Sequence, residues 1–139
     1  MLWNLDHPES LLRGEAISID GVLCSLRYDA RVNPQLVFAY CDFGELQEER
    51  VVDVFRVLLE ANFQLHVRSG PVFTVSPETG HVLLVISYRL DEITPERLRA
   101  ELIKYANRAR AWQVHYFLEE KSAVKTRDSR IHAALRSRL

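Results

Sequence analysis

The chain has 139 residues, of which 47% are hydrophobic and 27% are charged, and its formal net charge at pH 7 is −1. These values are typical of a globular protein that forms one domain around a hydrophobic core. No window reaches the roughly 18 consecutive apolar residues of a membrane-spanning helix, so the sequence predicts no membrane span. The opening residues, MLWNLDHPES, lack the basic and apolar regions of a secretory signal. The chain has two isolated cysteines in apolar runs, which suits a reducing environment, and we expect a cytoplasmic protein.

Charge is distributed unevenly between the body and the end of the chain. Residues 121–139 carry six basic side chains and one acidic side chain, a net charge of +5, whereas the other 120 residues carry 12 basic and 18 acidic ones, a net charge of −6. We therefore divide the sequence into a single domain over residues 1–120 and a basic C-terminal extension over residues 121–139. The extension lacks aromatic residues that stack on bases, so a solvated extension is favoured over the alternative of nucleic-acid contact.

The start of the chain predicts a short helical turn followed by a β-hairpin. Residues 8–14 favour the turn. Residues 15–19 and 22–28 alternate between apolar and polar positions around Asp20-Gly21, which is a strong signal for a two-residue hairpin turn.

The next predicted strand, QLVFAYCDFG over residues 35–44, is apolar on both of its faces. Such a strand is normally covered on both sides, and we expect the same here. Cys24 and Cys41 are the only cysteines and lie in separate apolar runs. We expect two buried thiols rather than a disulfide.

The segment ERVVDVFRVLLEANF predicts a helix over residues 48–62, with acidic residues at its start. Between residues 51 and 61 only Asp53, Arg56 and Glu60 interrupt the apolar residues, and their spacing places them on one face. A surface helix normally has one apolar stripe, so this helix has more apolar surface than a sheet covers. The C-terminal helix and a second copy of the chain are the two alternatives for covering the remainder.

The following segments read as extended chain. QLHV (64–67) and PVFTVS (71–76) predict one interrupted strand, and PETG (77–80) predicts a turn. HVLLVISYRL (81–90) predicts the last strand, which is again apolar on both faces in its middle.

The last predicted helix begins at Thr94-Pro95-Glu96, where a capping hydroxyl precedes a proline at the first helical position and an acidic residue. It extends to about residue 118 and carries an apolar stripe in steps of four and three residues. The stripe consists of Leu98, Leu102, Tyr105, Ala109, Trp112 and Tyr116. The predicted order is (short α)-β-β-β-α-β-β-α, an α+β fold with a mostly antiparallel twisted sheet.

Sequence motifs that carry chemistry are absent. There is no glycine-rich phosphate loop, HExxH, CxxC or GxSxG, and the five histidines are scattered without the spacing of metal ligands. We therefore predict no catalytic residue, no metal site and no cofactor. The enzymatic alternative is a thiol nucleophile at Cys24 or Cys41 with a histidine base.

Several segments share a pattern with one known family. These are LLEANF (58–63), SPETGHVLL (76–84) and the predicted helix with its late Trp112, preceded by DGVLCSLRYD and LVFAYCDFGEL. Together they resemble the class I type III secretion chaperones, the Tir chaperone (CesT) family, over residues 17–118. The family usually has a longer first helix than the residues before this hairpin allow.

The resemblance implies a small homodimer without ATPase activity. It implies that the dimer binds the N-terminal segment of a secreted effector protein and keeps that segment soluble and secretion-competent. A dimeric α+β adaptor or regulatory binding module outside effector delivery is the alternative.

By matching position, the resemblance places the dimer interface on the middle helix and a late strand. Its residues are Val54, Phe55, Leu58, Leu59, Val85 and Ser87. We also predict effector contacts on strand surfaces and near the start of the chain, with core packing as the alternative role of the strand residues. These contacts are Leu2, Trp3, Leu11, Leu12, Leu23, Ser25, Phe73 and Val75.

Overall fold

The computed structural model describes residues 16–66 and 70–118. The predicted turn at residues 8–14 and the basic extension over residues 121–139 lie outside this part of the chain. So do four of the predicted effector contacts, namely Leu2, Trp3, Leu11 and Leu12.

The described residues form one five-stranded antiparallel sheet and two α-helices. The strands are β1 (Ile17–Ile19), β2 (Val22–Arg27), β3 (Leu36–Gly44), β4 (Val72–Val75) and β5 (Val82–Arg89). The helices are α1 (Val51–His66), which follows a 3₁₀ turn at Glu48–Arg50, and α2 (Pro95–His115). Because the strand order in the sheet is β1-β2-β3-β5-β4, strands β1 and β4 lie at its two edges. The predicted α+β fold is confirmed.

Local sequence signals place the predicted turns and helix start correctly. Asp20 and Gly21 have φ angles of 49° and 83°, the left-handed conformations that a two-residue hairpin turn requires. At the start of α2, the Thr94 hydroxyl accepts a hydrogen bond of 3.2 Å from the Arg97 amide, and Pro95 is the first helical residue.

Two predicted boundaries are wrong. The segment QLHV was expected to be extended, but its first three residues belong to α1, which continues to His66, because no glycine or proline interrupts the helix there. Helix α2 ends at His115 rather than near residue 118. It ends there because Tyr116 and Phe117 adopt left-handed φ angles of 54° and 59°.

One face of the sheet carries the hydrophobic core, and helix α2 packs across it. The buried strand residues on this face include Val22, Cys24, Leu26, Val37, Ala39, Cys41, Phe43, Val82, Leu84 and Ile86. The predicted α2 stripe faces them: Leu102, Ala109, Trp112 and Tyr116 are buried, and Leu98 and Tyr105 are half-buried. The Trp112 and Phe43 rings pack with their centroids 5.7 Å apart.

Within the described residues of the single chain, β3 is covered on one face, and the expected cover of its other face stays a prediction. Val37, Ala39, Cys41 and Phe43 are buried under α2, whereas the alternate residues of the strand are only half-buried. These alternate residues point to the opposite side of the sheet. Neither described helix packs on that side, so the described residues leave one face of the sheet uncovered by a second layer.

Candidate partner-binding surfaces

Helix α1 leaves an apolar ridge in solvent. Its buried residues are Val54, Val57 and Leu58, which face the core. On the opposite side, Val52, Leu59 and Phe63 are 76%, 67% and 72% exposed, and Phe55 is half-buried beside them. The spacing of these residues places them in one row along the helix. We call Val52, Phe55, Leu59 and Phe63 the α1 ridge.

A groove separates the α1 ridge from the edge strand β4. It has a volume of about 260 Å³ and is lined by Phe55, Leu58, Leu59, Asn62, Phe73, Thr74 and Val75. The groove brings together residues that were predicted for two different roles. Phe55, Leu58 and Leu59 come from the predicted dimer interface, whereas Phe73 and Val75 come from the predicted effector contacts.

Asn62 lines this groove and bonds to the main chain of β4. Its side-chain carbonyl accepts a hydrogen bond of 2.7 Å from the Phe73 amide, and its side-chain NH₂ donates one of 3.0 Å to the Phe73 carbonyl. Sequence reasoning did not identify this residue, because its partner lies 11 positions away in a different element.

A second surface is the face of the sheet away from α2. The strand register aligns Ser25, Tyr40, Val85 and Val72 in one row across β2, β3, β5 and β4. A neighbouring row contains Arg27, Phe38 and Ser87. Together with Leu23, Leu36 and Leu83, which have the same orientation, these residues form what we call the open sheet face.

The open sheet face is apolar at its centre and basic at one side. Leu23 is 51% exposed and Val72 is 47% exposed, while Tyr40 and Val85 are half-buried. The Arg27 guanidinium lies 5.3 Å from the centre of the Tyr40 ring, a cation–π arrangement. The face can accept apolar side chains and, at Arg27, a negatively charged group.

A second groove, larger in volume, lies between α1, α2 and the β4–β5 hairpin. It has a volume of about 390 Å³ and an apolar floor that includes Val57, Ala61, Phe73, Leu84 and Phe117. Glu60 and Arg108 stand at its walls, and the Arg108 guanidinium lies 4.6 Å from the centre of the Phe117 ring. Its size and lining suit an apolar side chain of a bound peptide better than a charged substrate.

The chain matches a known family over most of its length. A family model described as "Tir chaperone protein (CesT) family" matches residues 23–113. The chain belongs to this family. It is therefore a type III secretion chaperone. No curated protein sequence matches the chain.

The fold has a counterpart among solved structures. A chain in "Crystal Structure of the ExsC-ExsE Complex" is 24% identical to this chaperone, with a TM-score of 0.61. The match covers 73% of this chain and 74% of that chain. At this level of identity, the likeness supports the fold.

The structure places the predicted site residues of the chaperone in different surroundings. Val54 and Leu58 are part of the core of the single chain, so Phe55 and Leu59 are the predicted α1 interface residues with surface left for a partner. Val85 and Ser87 lie on the open sheet face, and Leu23 and Ser25 lie on it too. Phe73 and Val75 point to the other side of the sheet.

The described part of the chaperone carries no arrangement that indicates catalysis. Cys24 and Cys41 are free and buried, with their Sγ atoms 3.6 Å apart, and no hydrogen bond joins either thiol to a described histidine. Among residues 16–66 and 70–118, no cluster of three or more His, Cys, Asp or Glu side chains is placed to hold a metal ion. None of the described helices is both long and apolar enough to cross a membrane. Membership of a chaperone family indicates a non-enzymatic role.

Proposed function

We propose that this chaperone acts as a cytoplasmic homodimer that has no enzymatic activity. It binds the N-terminal segment of a secreted effector protein and keeps that segment soluble and ready for export. The observation that carries the proposal is the amount of apolar surface that the described fold leaves in solvent, on the α1 ridge and on the open sheet face.

The size of this surplus supports a macromolecular partner. Burial of a Val, Leu or Phe side chain stabilises by roughly 1.5–3 kcal/mol. Full burial of the four side chains of the α1 ridge by a partner would therefore stabilise the complex by about 6–12 kcal/mol, as an upper bound. That value is comparable with the net stability of a whole domain, about 5–15 kcal/mol.

The α1 ridge suits a second copy of the chain. Its apolar side chains form one row along the helix, and the groove beside β4 offers a recess for side chains of an identical ridge. In a two-fold dimer the same patch meets itself, so one self-complementary ridge is enough to form the interface. The polar residues Asp53, Arg56 and Glu60 are exposed along one flank of the helix and suit the rim of such an interface.

The open sheet face and strand β1 suit an extended effector segment. Within the described residues β1 pairs with β2 alone, so its outer edge can accept main-chain hydrogen bonds from an added strand. Apolar side chains of the same segment can pack on Leu23 and its neighbours. Because such a segment is disordered before binding, the cost of ordering it falls on the effector rather than on the chaperone.

Limited proteolysis of the complex tests this proposal. The tagged chaperone is isolated from its own cell, treated with protease, and the fragments that remain bound are identified by mass spectrometry. We expect one protected fragment from the N-terminal region of a larger protein. Protected fragments from the interior of a non-secreted regulator would instead support the alternative, an adaptor or regulatory module.

A further inference from the structure

Strand β4 is an edge strand whose own sequence offers little protection against pairing with other chains. Its four residues, VFTV, have high β-propensity and carry no charge, and Val72 and Val75 are exposed. Natural edge strands are usually protected by charged side chains, by an internal proline or by a bulge. In this chain Pro71 and Pro77 lie outside the strand, at its two ends.

The Asn62 side chain forms hydrogen bonds with the main-chain groups of β4 that face away from β5. Residues of an antiparallel strand alternate between main-chain groups that face the partner strand and groups that face away from it. Both groups of Phe73 bond to Asn62, so they are the groups that face away from β5. A side-chain amide has one carbonyl and one NH₂ group, and Asn62 therefore makes the two hydrogen bonds that a residue of an added strand would make.

We propose that Asn62 is an edge lock: its side chain takes the place of a neighbouring strand on β4 and prevents other chains from pairing there. The lock deepens the proposed function, because it directs strand addition by the effector to β1, at the other edge of the sheet. It also fixes β4 to α1 and so sets the position of the groove beside the α1 ridge. Asn62 is thus a positioning residue.

The arrangement around Phe73 supports this role. The Phe73 side chain points into the core, where its ring packs edge-on against Phe43 with the ring centroids 5.3 Å apart. At the outer edge of β4, Asn62 is the only described residue that bonds to the Phe73 main chain. Loss of the Asn62 side-chain amide therefore removes the two hydrogen bonds at the outer edge of β4, while the packing of Phe73 against Phe43 stays in place.

The first test compares Asn62→Leu with the unmodified chaperone. Leucine retains the side-chain volume next to the groove but makes neither hydrogen bond. We expect the Phe73 amide to exchange with deuterium at least ~10-fold faster, because a net hydrogen-bond contribution of about 1.4 kcal/mol corresponds to a factor of ten. The matched control is Asn107→Leu, since Asn107 is an exposed asparagine that pairs with Arg110 on its own helix.

The second test asks whether the edge has opened. A fluorescent peptide with the sequence of residues 71–77, PVFTVSP, is titrated against each variant and followed by anisotropy. We expect Asn62→Leu to bind the peptide or to form assemblies larger than the proposed dimer, and we expect neither from the unmodified chaperone or from Asn107→Leu. Native-like circular dichroism with unchanged Phe73 exchange and no peptide binding would overturn the edge lock.

A conservative variant covers the case in which Asn62→Leu does not fold. Asn62→Asp keeps an acceptor for the Phe73 amide but places a carboxylate oxygen where the NH₂ group donated to the Phe73 carbonyl. Because these two oxygens repel each other and weaken the attachment as a whole, we expect Phe73 exchange to be intermediate. Exchange as slow as in the unmodified chaperone would contradict the proposal. Both tests use the chaperone without effector, so their failure is distinguishable from failure of the proposed function.

Discussion

The His81 side chain bridges two carboxylates at the junction of β3 and β5. Its Nδ1 atom lies 3.0 Å from Oδ2 of Asp42, and its Nε2 atom lies 3.6 Å from Oε1 of Glu45. Asp42 also accepts a hydrogen bond of 2.8 Å from the Gly44 amide, at the irregularity where β3 bends. The imidazole therefore ties the end of one central strand to the start of the next.

This bridge predicts a pH-dependent contribution to stability. The hydrogen bond with Asp42, followed by the negative charges of Asp42 and Glu45, raises the pKa of His81 above its usual value of 6.5. A raised pKa means that the folded state holds the proton more tightly than the unfolded state. The contribution is fully present below the unfolded-state pKa and is lost as pH rises through the folded-state pKa.

Urea unfolding of His81→Gln tests this contribution at about pH 6 and about pH 8, on either side of the usual histidine range. We expect the variant to be less stable than the unmodified chaperone by a larger margin at the lower pH. An equal margin at both pH values would show that protonation of the bridge does not stabilise the fold.

Helix α1 provides a matched pair of valines on opposite sides. Val54 is fully buried and Val52 is 76% exposed. We expect Val54→Ala to lower the free energy of unfolding by roughly 1.5–3 kcal/mol, the value of burying a valine side chain. Val52→Ala should change the stability of the monomer by less than about 0.5 kcal/mol. Chemical denaturation at low protein concentration measures both, and equal effects would contradict the assigned orientation of α1.

The α1 ridge predicts the effect of a charge on self-association. Leu59→Asp places a carboxylate on the ridge, and we expect it to shift the chaperone from dimer to monomer, because an unpaired charge is costly to bury in an apolar interface. Val114→Asp is the control, since Val114 is 80% exposed on α2. Light scattering after size exclusion distinguishes the species. If Leu59→Asp dimerises as strongly as the control, the dimer interface does not include the α1 ridge.

Much of the fold could be predicted from the sequence because its turns and helix start are encoded by neighbouring residues. Asp20-Gly21 determines the first hairpin, and Thr94-Pro95 determines the start of α2. The end of α1 was missed because residues 64–66 alternate like a strand, although nothing there stops a helix. The end of α2 was missed because its left-handed residues are Tyr116 and Phe117, which carry no local signal for that conformation.

The site was less predictable because it depends on contacts between distant segments. The apolar excess of α1 could be read from its sequence, but which residues enter the core could not. The same limit applies to the Asn62 bonds with Phe73 and to the bridge from His81 to Asp42, which are 11 and 39 positions apart in sequence. The predicted interface and effector residues stay predictions.

The open sheet face predicts a loss of effector binding when it is charged. Leu23→Asp should weaken binding of the protected effector segment by about tenfold or more, since lost burial of a leucine exceeds about 1.4 kcal/mol. Val32→Asp is the control, because Val32 is an exposed apolar residue of the β2–β3 loop. Calorimetric titration measures both variants. Equal affinity of the two would exclude Leu23 from the binding surface.

The buried thiol pair predicts low reactivity in the native state. The contact with Cys24, followed by burial, raises the pKa of the Cys41 thiol, so the Cys41 thiolate is scarce at neutral pH. Cys24 is 1% exposed, so its side chain is shielded from a reagent in solution. We expect an aromatic disulfide reagent to label both cysteines slowly in the folded chaperone and rapidly after unfolding in guanidinium. Rapid labelling of one cysteine in the folded protein would contradict this prediction and support the alternative of an enzyme with a thiol nucleophile.

Native mass spectrometry of the complex from its own cell tests dimer formation and effector binding together, because one spectrum reports both partners. We expect a species containing two copies of the 16.1 kDa chain together with one larger secreted protein. Gentle dissociation should release the effector and leave the dimer. A spectrum that contains only the 16.1 kDa monomer, under conditions that preserve other complexes, would contradict both the proposed dimer and the proposed effector complex.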